Sequence, residues 1–307
     1  MRGVLKRNEP LAPYTSWHIG GPADLYYRPR DLEDLVEFLG TLPSDIPLIW
    51  LGLGSNVLVS DAGIRGVVIH LLTSVDNALS STALPIQMIP KEVFQSTGDI
   101  VRAEAGVTAA KLAKFCIKHG LTGAEFFAGI PGTVGGALAM NAGAWGGETW
   151  RQVVKVEVIN RRGERSFRDP EDYHIGYRSV VGLKAAEEWF VAGYFQFQAG
   201  DSEGSNQKIK ALLKQRNERQ PIGVFSCGSV FKNPDNHYAG QLIEELNLKG
   251  YAIGDAEISS KHANFIVNRG QARANDVWQL IRHIQTLVLA KHQIELHTEV
   301  KFLGEFP

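Results

Sequence analysis

The sequence predicts a protein of mixed α and β structure in two or three domains. A chain of 307 residues favours more than one domain, although length serves only as a prior. Hydrophobic residues make up 44% and charged residues 21% of the chain, which is ordinary for a globular protein. Short apolar runs bounded by turn residues alternate with segments in which apolar residues recur at helical spacing.

Charge, hydropathy and cysteine content argue against several classes of function. The net charge of −1 gives no support for nucleic-acid binding, which calls for a basic excess. No apolar run has the length of a membrane span, and the first nine residues lack the apolar region of a signal peptide. Two cysteines, Cys116 and Cys227, do not suggest a disulfide framework, so a cytoplasmic protein is the simplest expectation. No Cys/His cluster has metal-ligand spacing, and no protein partner is inferred.

The first stretch, to about residue 71, contains a predicted helix. Leu32, Leu35, Val36 and Leu39 fall at helical spacing, and Gly40 is placed to end the helix.

The same stretch contains a glycine-rich loop, Gly52–Leu58, between two apolar runs that are predicted to be strands. Phosphate loops of the dinucleotide-binding and P-loop types open a helix instead. Consecutive backbone N–H groups can still bind an anion without a helix dipole. The alternative is a tight hairpin in which the glycines serve only the backbone.

The second stretch begins near Ile100, after a weakly periodic polar connection over Thr73–Gly98. A strand is predicted over Ile100–Gly106, followed by a helix that Thr108 caps and Gly120 closes. Further strands are predicted at Val153–Ile159 and Trp189–Phe197.

A second glycine-rich run, Gly129–Ala137, lies in this stretch and is followed by Asn141-Ala-Gly-Ala144. Its four glycines and one proline allow the backbone to lie against something flat or charged, at a cost in chain entropy. Two such runs in adjacent stretches suggest one elongated ligand, such as a dinucleotide, clamped between them. Turn chemistry alone remains the alternative.

The third stretch begins in a polar linker, Ala199–Asn206, and carries the reactive polar groups. Gly228–Pro234 combines a hydroxyl, an ammonium and an amide within a few positions. A helix is predicted over Asp276–His292. In the last predicted strand, apolar residues from Ile294 to Phe302 alternate with a polar face that includes Glu299. Taken alone, Glu299 reads as a solvated strand charge.

Together these segments resemble a known family. The ordered motifs are Tyr14–Gly21, Gly52–Leu58, Gly129–Ala137, Asn141–Ala144, Gly176–Arg178, Gly228–Pro234, Ala239–Glu244 and Lys261–Asn268. This set resembles the UDP-N-acetylenolpyruvoylglucosamine reductase (MurB) family, flavoenzymes of bacterial cell-wall synthesis. The segment between Tyr177 and Trp189 is similar to the form of the family that lacks an extra tyrosine-bearing loop.

The resemblance implies an α+β fold of the vanillyl-alcohol-oxidase type (PCMH type). Two α+β subdomains, residues 1–71 and 72–198, would bind FAD non-covalently. A C-terminal α+β domain, residues 199–307, would bind the substrate.

The resemblance also implies the catalytic residues. The family's arginine follows a tyrosine and matches Arg178, its proton-donating serine matches Ser229, and its glutamate matches Glu299. One departure is that Ser179 directly follows Arg178, where the family often has Tyr-Arg-x-Ser. This leaves no assigned role for Ser179.

Binding residues follow from the same motifs. Lys232 and Asn233 are candidates for the nucleotide-sugar pyrophosphate, with a surface charge and a turn residue before Pro234 as the alternatives. Substrate contacts are predicted at Tyr177, Arg178, Lys232 and Asn233. FAD contacts are predicted at Gly52, Gly54, Ser55, Asn56, Val57, Leu58, Pro131, Gly132, Thr133, Gly135, Gly136, Asn141 and Gly143.

The implied chemistry explains these residue types. By resemblance, NADPH reduces the flavin, which passes hydride to the enolpyruvyl double bond and leaves negative charge on the adjacent carbon. Arg178 suits that charge, because its planar fork meets a carboxylate and stays charged. Ser229 is a poor acid in water and needs polarisation, by Lys232 or bound water. An ordinary Glu has a pKa of about 4.3, so a partly protonated Glu299 is predicted to be buried in the site or beside the flavin.

No Gly-x-Gly-x-x-Gly motif opens a helix, so no separate NADPH domain is predicted. NADPH and substrate are then expected to use one pocket in turn, with ping-pong kinetics. Two other classes stay open: an FAD oxidase or dehydrogenase acting on an alcohol or sugar, and a flavin- or nucleotide-binding protein without turnover.

Cys227 is expected to be a packing residue, because nothing beside it would activate a thiolate.

Overall fold

The computed structural model describes residues 1–72, 86–90, 98–182 and 187–307. The helices are α1 (Leu32–Thr41), α2 (Ala109–Lys118), α3 (Val134–Met140), α4 (Ser202–Arg219), α5 (Ala239–Glu244) and α6 (Ala274–His292). The strands are β1 (Val4–Pro10), β2 (Pro22–Arg28), β3 (Leu48–Leu51), β4 (Val57–Val59), β5 (Ile64–His70), β6 (Ile86–Ile89), β7 (Asp99–Glu104), β8 (Leu121–Thr122), β9 (Gly143–Ala144), β10 (Gly147–Glu148), β11 (Val153–Asn160), β12 (Arg165–Arg168), β13 (Tyr173–Gly176), β14 (Ser179–Gly182), β15 (Glu188–Ala199), β16 (Ala252–Ile253), β17 (Ala256–Ile258), β18 (Ile266–Asn268) and β19 (Lys301–Leu303).

The predicted helix of the first stretch is confirmed as α1. Asp31 caps it by accepting a hydrogen bond from the backbone N–H of Asp34, and Leu35 and Leu39 face inward. The prediction that Gly40 ends the helix is wrong, since α1 continues through Thr41 and ends at an extended Leu42. Gly40 does not adopt the left-handed backbone of a terminating glycine.

The two other predicted helices are also confirmed. Thr108 caps α2 by accepting from the N–H of Lys111, and Gly120 follows it at φ +69°. Helix α6 begins two residues earlier than predicted, because both carboxylate oxygens of Asp61 accept from the N–H groups of Ala274 and Asn275. An acceptor at that end satisfies N–H groups that no helical carbonyl reaches.

The strands predicted at 100–106, 153–159 and 189–197 are confirmed as β7, β11 and β15. They form an antiparallel sheet of order β12-β11-β15-β7-β6, with β8 paired to β15. Strand β6 lies inside the segment predicted to be only a connection, Thr73–Gly98, and its pairing with β7 supplies the order that periodicity did not reveal. The rest of that prediction, at 73–85 and 91–97, lies outside the described residues.

The remaining sheets are small. One four-stranded sheet has the order β1-β2-β5-β3, another of three strands has the order β16-β17-β18, and β13 pairs with β14 as a hairpin. The strands predicted on both sides of the first glycine-rich loop are confirmed as β3 and β4.

Two predictions of the third stretch need correction. The segment 199–206 is not only a linker, because helix α4 begins within it at Ser202. The last strand is much shorter than predicted: only Lys301–Leu303 form β19, which pairs in parallel with β4. Residues 294–300 keep part of the alternation in burial, but hydrogen bonds to other segments replace a ladder there.

The chain divides into two compact units, each with its own hydrophobic core. Unit 1 comprises Met1–Leu5, Tyr27–Leu53 and Ile69–Lys214, and unit 2 comprises Lys6–Tyr26, Gly54–Val68 and Gln215–Pro307. The core of unit 1 joins residues of the large sheet, such as Val101 and Phe195, to α2 and α3. The core of unit 2 surrounds Trp17, Phe231 and the inner face of α6.

Across the described ranges, no helix is both long and apolar enough to cross a membrane.

Candidate active site

Arg178 lies in unit 1, on a two-residue turn. Strands β13 and β14 pair with Gly176 opposite Ser179, so Tyr177 and Arg178 form the connection. Arg178 has φ +51°, in the left-handed region that non-glycine residues rarely occupy. Such a backbone costs on the order of 1 kcal/mol and is therefore held by its surroundings.

Two main-chain carbonyls hold the Arg178 guanidinium. Nη2 donates to the oxygen of Gly143 at 2.9 Å, and Nη1 lies 3.4 Å from the oxygen of Asn141. The guanidinium carbon also lies 5.1 Å from the centre of the Tyr177 ring, whose residue is 48% exposed. These contacts orient a half-buried cation at an accessible turn.

Gly143, whose carbonyl accepts from Arg178, has no room for a side chain. A Cβ there would overlap the carbonyl oxygen of Gly147 and would lie 3.3 Å from Arg178 Nη1. The predicted FAD contact at Gly143 stays a prediction, while its carbonyl has an identified use in holding the arginine.

The second glycine-rich run is not only a loop, because helix α3 begins within it. Thr133 caps α3, its Oγ1 accepting from the N–H of Gly136 at 3.3 Å. The N–H groups of Val134 and Gly135 donate to Val107 and Ala105. These two amides are already bonded within unit 1, so the FAD contact predicted at Gly135 would not use its N–H.

Gly136 leaves an exposed stretch of bare main chain in the same run. Apart from the backbone of α3 itself, a Cβ at this position would meet only Thr133 Oγ1, at 3.7 Å, among the residues that the structure describes. The FAD contact predicted at Gly136 stays a prediction, and this surface leaves room for it.

The two glycine-rich runs touch within unit 1. A Cβ on Gly52 would lie 2.5 Å from Thr133 Oγ1, so only glycine allows this approach. His70, on β5, lies behind Gly52 and hydrogen-bonds its backbone. Burial lowers the His70 pKa to about 4, so the ring is neutral at physiological pH.

The rest of the first loop belongs to unit 2. Gly54 has φ +60°, and a Cβ there would overlap the carbonyl of Tyr14. The Cys227 thiol lies 3.5 Å from the Gly54 oxygen and 3.4 Å from the Val57 oxygen. Burial raises the Cys227 pKa to about 12, so this side chain supports the loop as a thiol, in agreement with a packing role.

Ser229 and Glu299 are neighbours within unit 2. The N–H of Glu299 donates to the oxygen of Val230 at 2.8 Å, and Asn56 Nδ2 donates to the Glu299 oxygen at 3.1 Å. The first glycine-rich loop therefore also places the main chain of Glu299. Both Ser229 and Glu299 are half-buried, so Glu299 is not the fully solvated charge that its strand pattern alone suggested.

Asn264 holds the segment between Ser229 and Lys232, a role that the sequence did not predict. Its side chain accepts from the N–H of Phe231 and donates to the Phe231 oxygen, both at 2.9 Å. Its own carbonyl accepts from Val230 N–H. The only sequence signal was its place in the Lys261–Asn268 motif.

Lys232 and Asn233 follow this segment. Lys232 is half-buried as a residue, and its N–H donates to the His297 oxygen at 2.9 Å. Its ammonium group has no bonded partner among the residues that the structure describes. Asn233 Oδ1 accepts from the N–H of Ala239, at the start of α5, at 3.1 Å. Asn233 thus has the structural role expected of a turn residue. The predicted ligand contact would use its Nδ2 group.

The remaining predicted FAD contacts divide by burial. Leu58 is completely buried in the unit 2 core, so a contact there falls to its main chain. Ser55 and Gly132 are half-buried, and Pro131 is exposed.

The three predicted catalytic residues are divided between the units. Arg178 belongs to unit 1, whereas Ser229 and Glu299 belong to unit 2, so their joint action stays a prediction. Within the described ranges, no group of three or more His, Cys, Asp or Glu is arranged to hold a metal ion.

Comparison with known proteins gives matches over most of the chain. Residues 220–303 match the family described as UDP-N-acetylenolpyruvoylglucosamine reductase, C-terminal domain, and residues 23–166 match the FAD binding domain family. The latter span includes Gly52, Gly136 and the loop between β3 and β4.

Three similar proteins are described as reductases of this kind. UDP-N-acetylenolpyruvoylglucosamine reductase of Coxiella burnetii (strain Dugway 5J108-111) is 53% identical, over 99% of this chain and 97% of the relative. That of Alkalilimnicola ehrlichii is 50% identical, over 99% and 96%. The crystal structure of the reductase from Thermus caldophilus matches with a TM-score of 0.78 at 31% identity, over 99% of this chain and 100% of that one. The predicted α+β fold with an FAD-binding domain is confirmed.

Proposed function

The chain belongs to the UDP-N-acetylenolpyruvoylglucosamine reductase family of FAD-containing oxidoreductases. From this premise we propose that it reduces the enolpyruvyl group of UDP-N-acetylglucosamine enolpyruvate to the lactyl ether, with NADPH as reductant. The product is UDP-N-acetylmuramate, a precursor of peptidoglycan. The observation that carries the proposal is 53% identity over 99% of the chain to a relative of that name.

FAD supplies the hydride chemistry when it is bound, and the chain supplies binding and orientation. The contact between Gly52 and Thr133 and the bare main chain at Gly136 support the two glycine-rich runs as its holders. Asn56 and Cys227 fix the loop that carries part of this surface.

Arg178 acts on the charge that develops on the substrate. Hydride addition at the methylene carbon places negative charge on the adjacent carbon and its carboxylate. A guanidinium already oriented by Gly143 and Asn141 stabilises this charge without having to reorganise during the reaction. Tyr177, in the same turn, is the proposed neighbouring substrate contact.

Ser229 donates the proton that completes the reduction at that carbon. Its hydroxyl has no hydrogen-bond partner within the described part of the chain, so it is available to a ligand. Asn264 fixes the main chain next to Ser229. The backbone hydrogen bond between Glu299 and Val230 places Glu299 close to Ser229. Glu299, in its protonated form, then helps to stabilise the negatively charged form of the substrate that exists before this proton is transferred.

Lys232 and Asn233 bind the pyrophosphate of the nucleotide sugar. The Lys232 ammonium supports this assignment, because it has no bonded partner among the described residues and can pair with an anion.

NADPH and substrate bind in turn. The absence of a dinucleotide-binding glycine motif in the sequence supports a shared pocket. Parallel double-reciprocal lines are expected in steady-state kinetics, whereas intersecting lines without substrate inhibition would contradict this order.

The decisive experiment follows the two half-reactions separately without oxygen. The purified protein should be yellow, should bleach with NADPH and should regain colour with the enolpyruvyl nucleotide sugar. Ser229→Ala should leave bleaching unchanged and slow the return of colour. Loss of the bleaching step instead would show that Ser229 has another role.

The same experiment separates the alternative classes. Return of colour only with oxygen after an alcohol donor would indicate an oxidase, and failure to bind flavin after reconstitution would refute any flavoenzyme. A cytoplasmic location and a part in cell division and cell shape belong to the proposal as well, because peptidoglycan precursors on UDP carriers are its substrate and product.

A further inference from the structure

Asn141 is in an unusual position for a residue predicted to contact cofactor. It follows the last turn of α3 with φ +44°, in the left-handed region, and only 2% of it is exposed. Asparagine tolerates this backbone better than most residues. The side chain is therefore directed into unit 1, where buried amides require partners.

Both ends of the Asn141 amide are bonded. Nδ2 donates to the oxygen of Gly176 at 3.0 Å, and Oδ1 accepts from the N–H of Trp150 at 3.1 Å. Gly176 is the last residue of β13, directly before the Tyr177–Arg178 turn. The amide thus ties the start of this turn to the end of α3.

The main chain of Asn141 also contacts the side chain of Arg178, in the same turn. Its carbonyl oxygen lies 3.4 Å from Arg178 Nη1. One residue therefore contacts both the backbone that carries Arg178 and the guanidinium itself. Arg178 needs such support, because its own φ of +51° is unfavourable.

We propose that Asn141 is a positioning residue for Arg178, setting the turn from which the guanidinium meets the substrate carboxylate. The inference rests on the proposed function, because it requires that Arg178 acts on substrate. It departs from the predicted role of Asn141 as a cofactor contact. An amide is needed at this site, since a donor must face Gly176 and an acceptor must face Trp150.

The test uses Asn141→Asp in the FAD-loaded enzyme. Aspartate keeps an acceptor for Trp150 N–H and loses the donor to Gly176. FAD affinity and the rate of bleaching by NADPH should stay at the wild-type level. The second-order rate of colour return with substrate should fall roughly fivefold to 150-fold, as expected when one buried hydrogen bond is lost.

A second variant and a matched control accompany it. Asn141→Gly suits the left-handed backbone and removes both side-chain bonds, so it gives the same readout if the aspartate variant does not fold. Thr149→Val is the control, because Thr149 is buried nearby and its hydroxyl donates to Ala142 at 2.7 Å, not to a residue of the turn. It should lower stability and leave the return of colour unchanged.

A double-mutant cycle with Arg178→Ala gives a readout that a structural role would not move. If Asn141 acts through Arg178, Asn141→Asp should cost almost nothing further once the guanidinium is gone. Fully additive losses would overturn the proposal. So would weakened FAD binding with normal return of colour from the bound flavin, which would make Asn141 a cofactor contact. If Arg178→Ala itself left the return of colour unchanged, the proposed role of Arg178 would be refuted instead.

Discussion

Replacing Gly136 with alanine should change two properties of this protein in opposite directions. Gly136 is the third residue of α3, is exposed, and does not have a left-handed backbone. Within the described ranges, an added Cβ would meet only Thr133 Oγ1 outside its own helix backbone, at an ordinary contact distance of 3.7 Å. This part of the fold therefore has room for the methyl group, and a loss of FAD affinity would indicate a contact with the bound ligand.

The two magnitudes follow from this geometry. Alanine in place of glycine in a helix stabilises by roughly 0.5–1 kcal/mol, because the unfolded chain loses freedom. The flavin-free protein should therefore unfold at a higher denaturant concentration. If FAD lies against Gly136, one inserted methyl group should cost roughly 1–3 kcal/mol of binding, as overpacking does elsewhere. That corresponds to an FAD dissociation constant about fivefold to 150-fold higher.

Chemical denaturation of the flavin-free protein and titration with FAD measure the two effects. Gly40→Ala is the matched control, because a Cβ at this exposed position in α1 meets nothing within 4 Å. It should stabilise the protein and leave FAD affinity unchanged. If Gly136→Ala behaved in the same way as this control, the second glycine-rich run would not contact FAD at Gly136, and the clamp would be wrong there.

Two further predictions concern buried groups. The folded-state pKa of His70 is lowered by burial to about 4, from 6.5, so the unfolded chain takes up its proton first as pH falls. The free energy of unfolding should drop by about 3 kcal/mol between pH 7 and pH 4 from this group, and denaturation of His70→Gln across that range should lack this component; an unchanged pH profile would contradict it. Asn264→Ala should cost about 2–5 kcal/mol, because it leaves the buried N–H and C=O of Phe231 unpaired. Equal stability in urea denaturation would mean that water replaces the amide.

Local pattern was sufficient for the long elements. Helices α1, α2 and α6 have apolar residues at helical spacing, and strands β7, β11 and β15 are apolar runs. The ends of these elements depend on distant residues. Helix α6 begins earlier than predicted because Asp61, more than 200 residues away in the chain, caps it. Strand β6 was missed because its pairing with β7 is what makes it a strand.

The site divides in the same way. Motif order identified the family, and the resemblance named Arg178, Ser229 and Glu299 as candidate catalytic residues. It did not reveal that the second glycine-rich run opens α3, or that Asn141 and Asn264 use their amides on neighbouring main chain. An asparagine's partners lie far along the chain, and no local spacing encodes them.

The sequence by itself determined the family, the FAD-binding domain and the residue types that the chemistry needs, because these depend on motifs whose members are close in the chain. Only the tertiary structure decided how those residues are held. The Arg178 turn has an unfavourable backbone that Asn141 and Gly143 support, and Glu299 is placed by Val230 and Asn56. Such placement depends on hydrogen bonds between segments that are distant in the chain, and these form only when the core of the unit to which they belong has assembled.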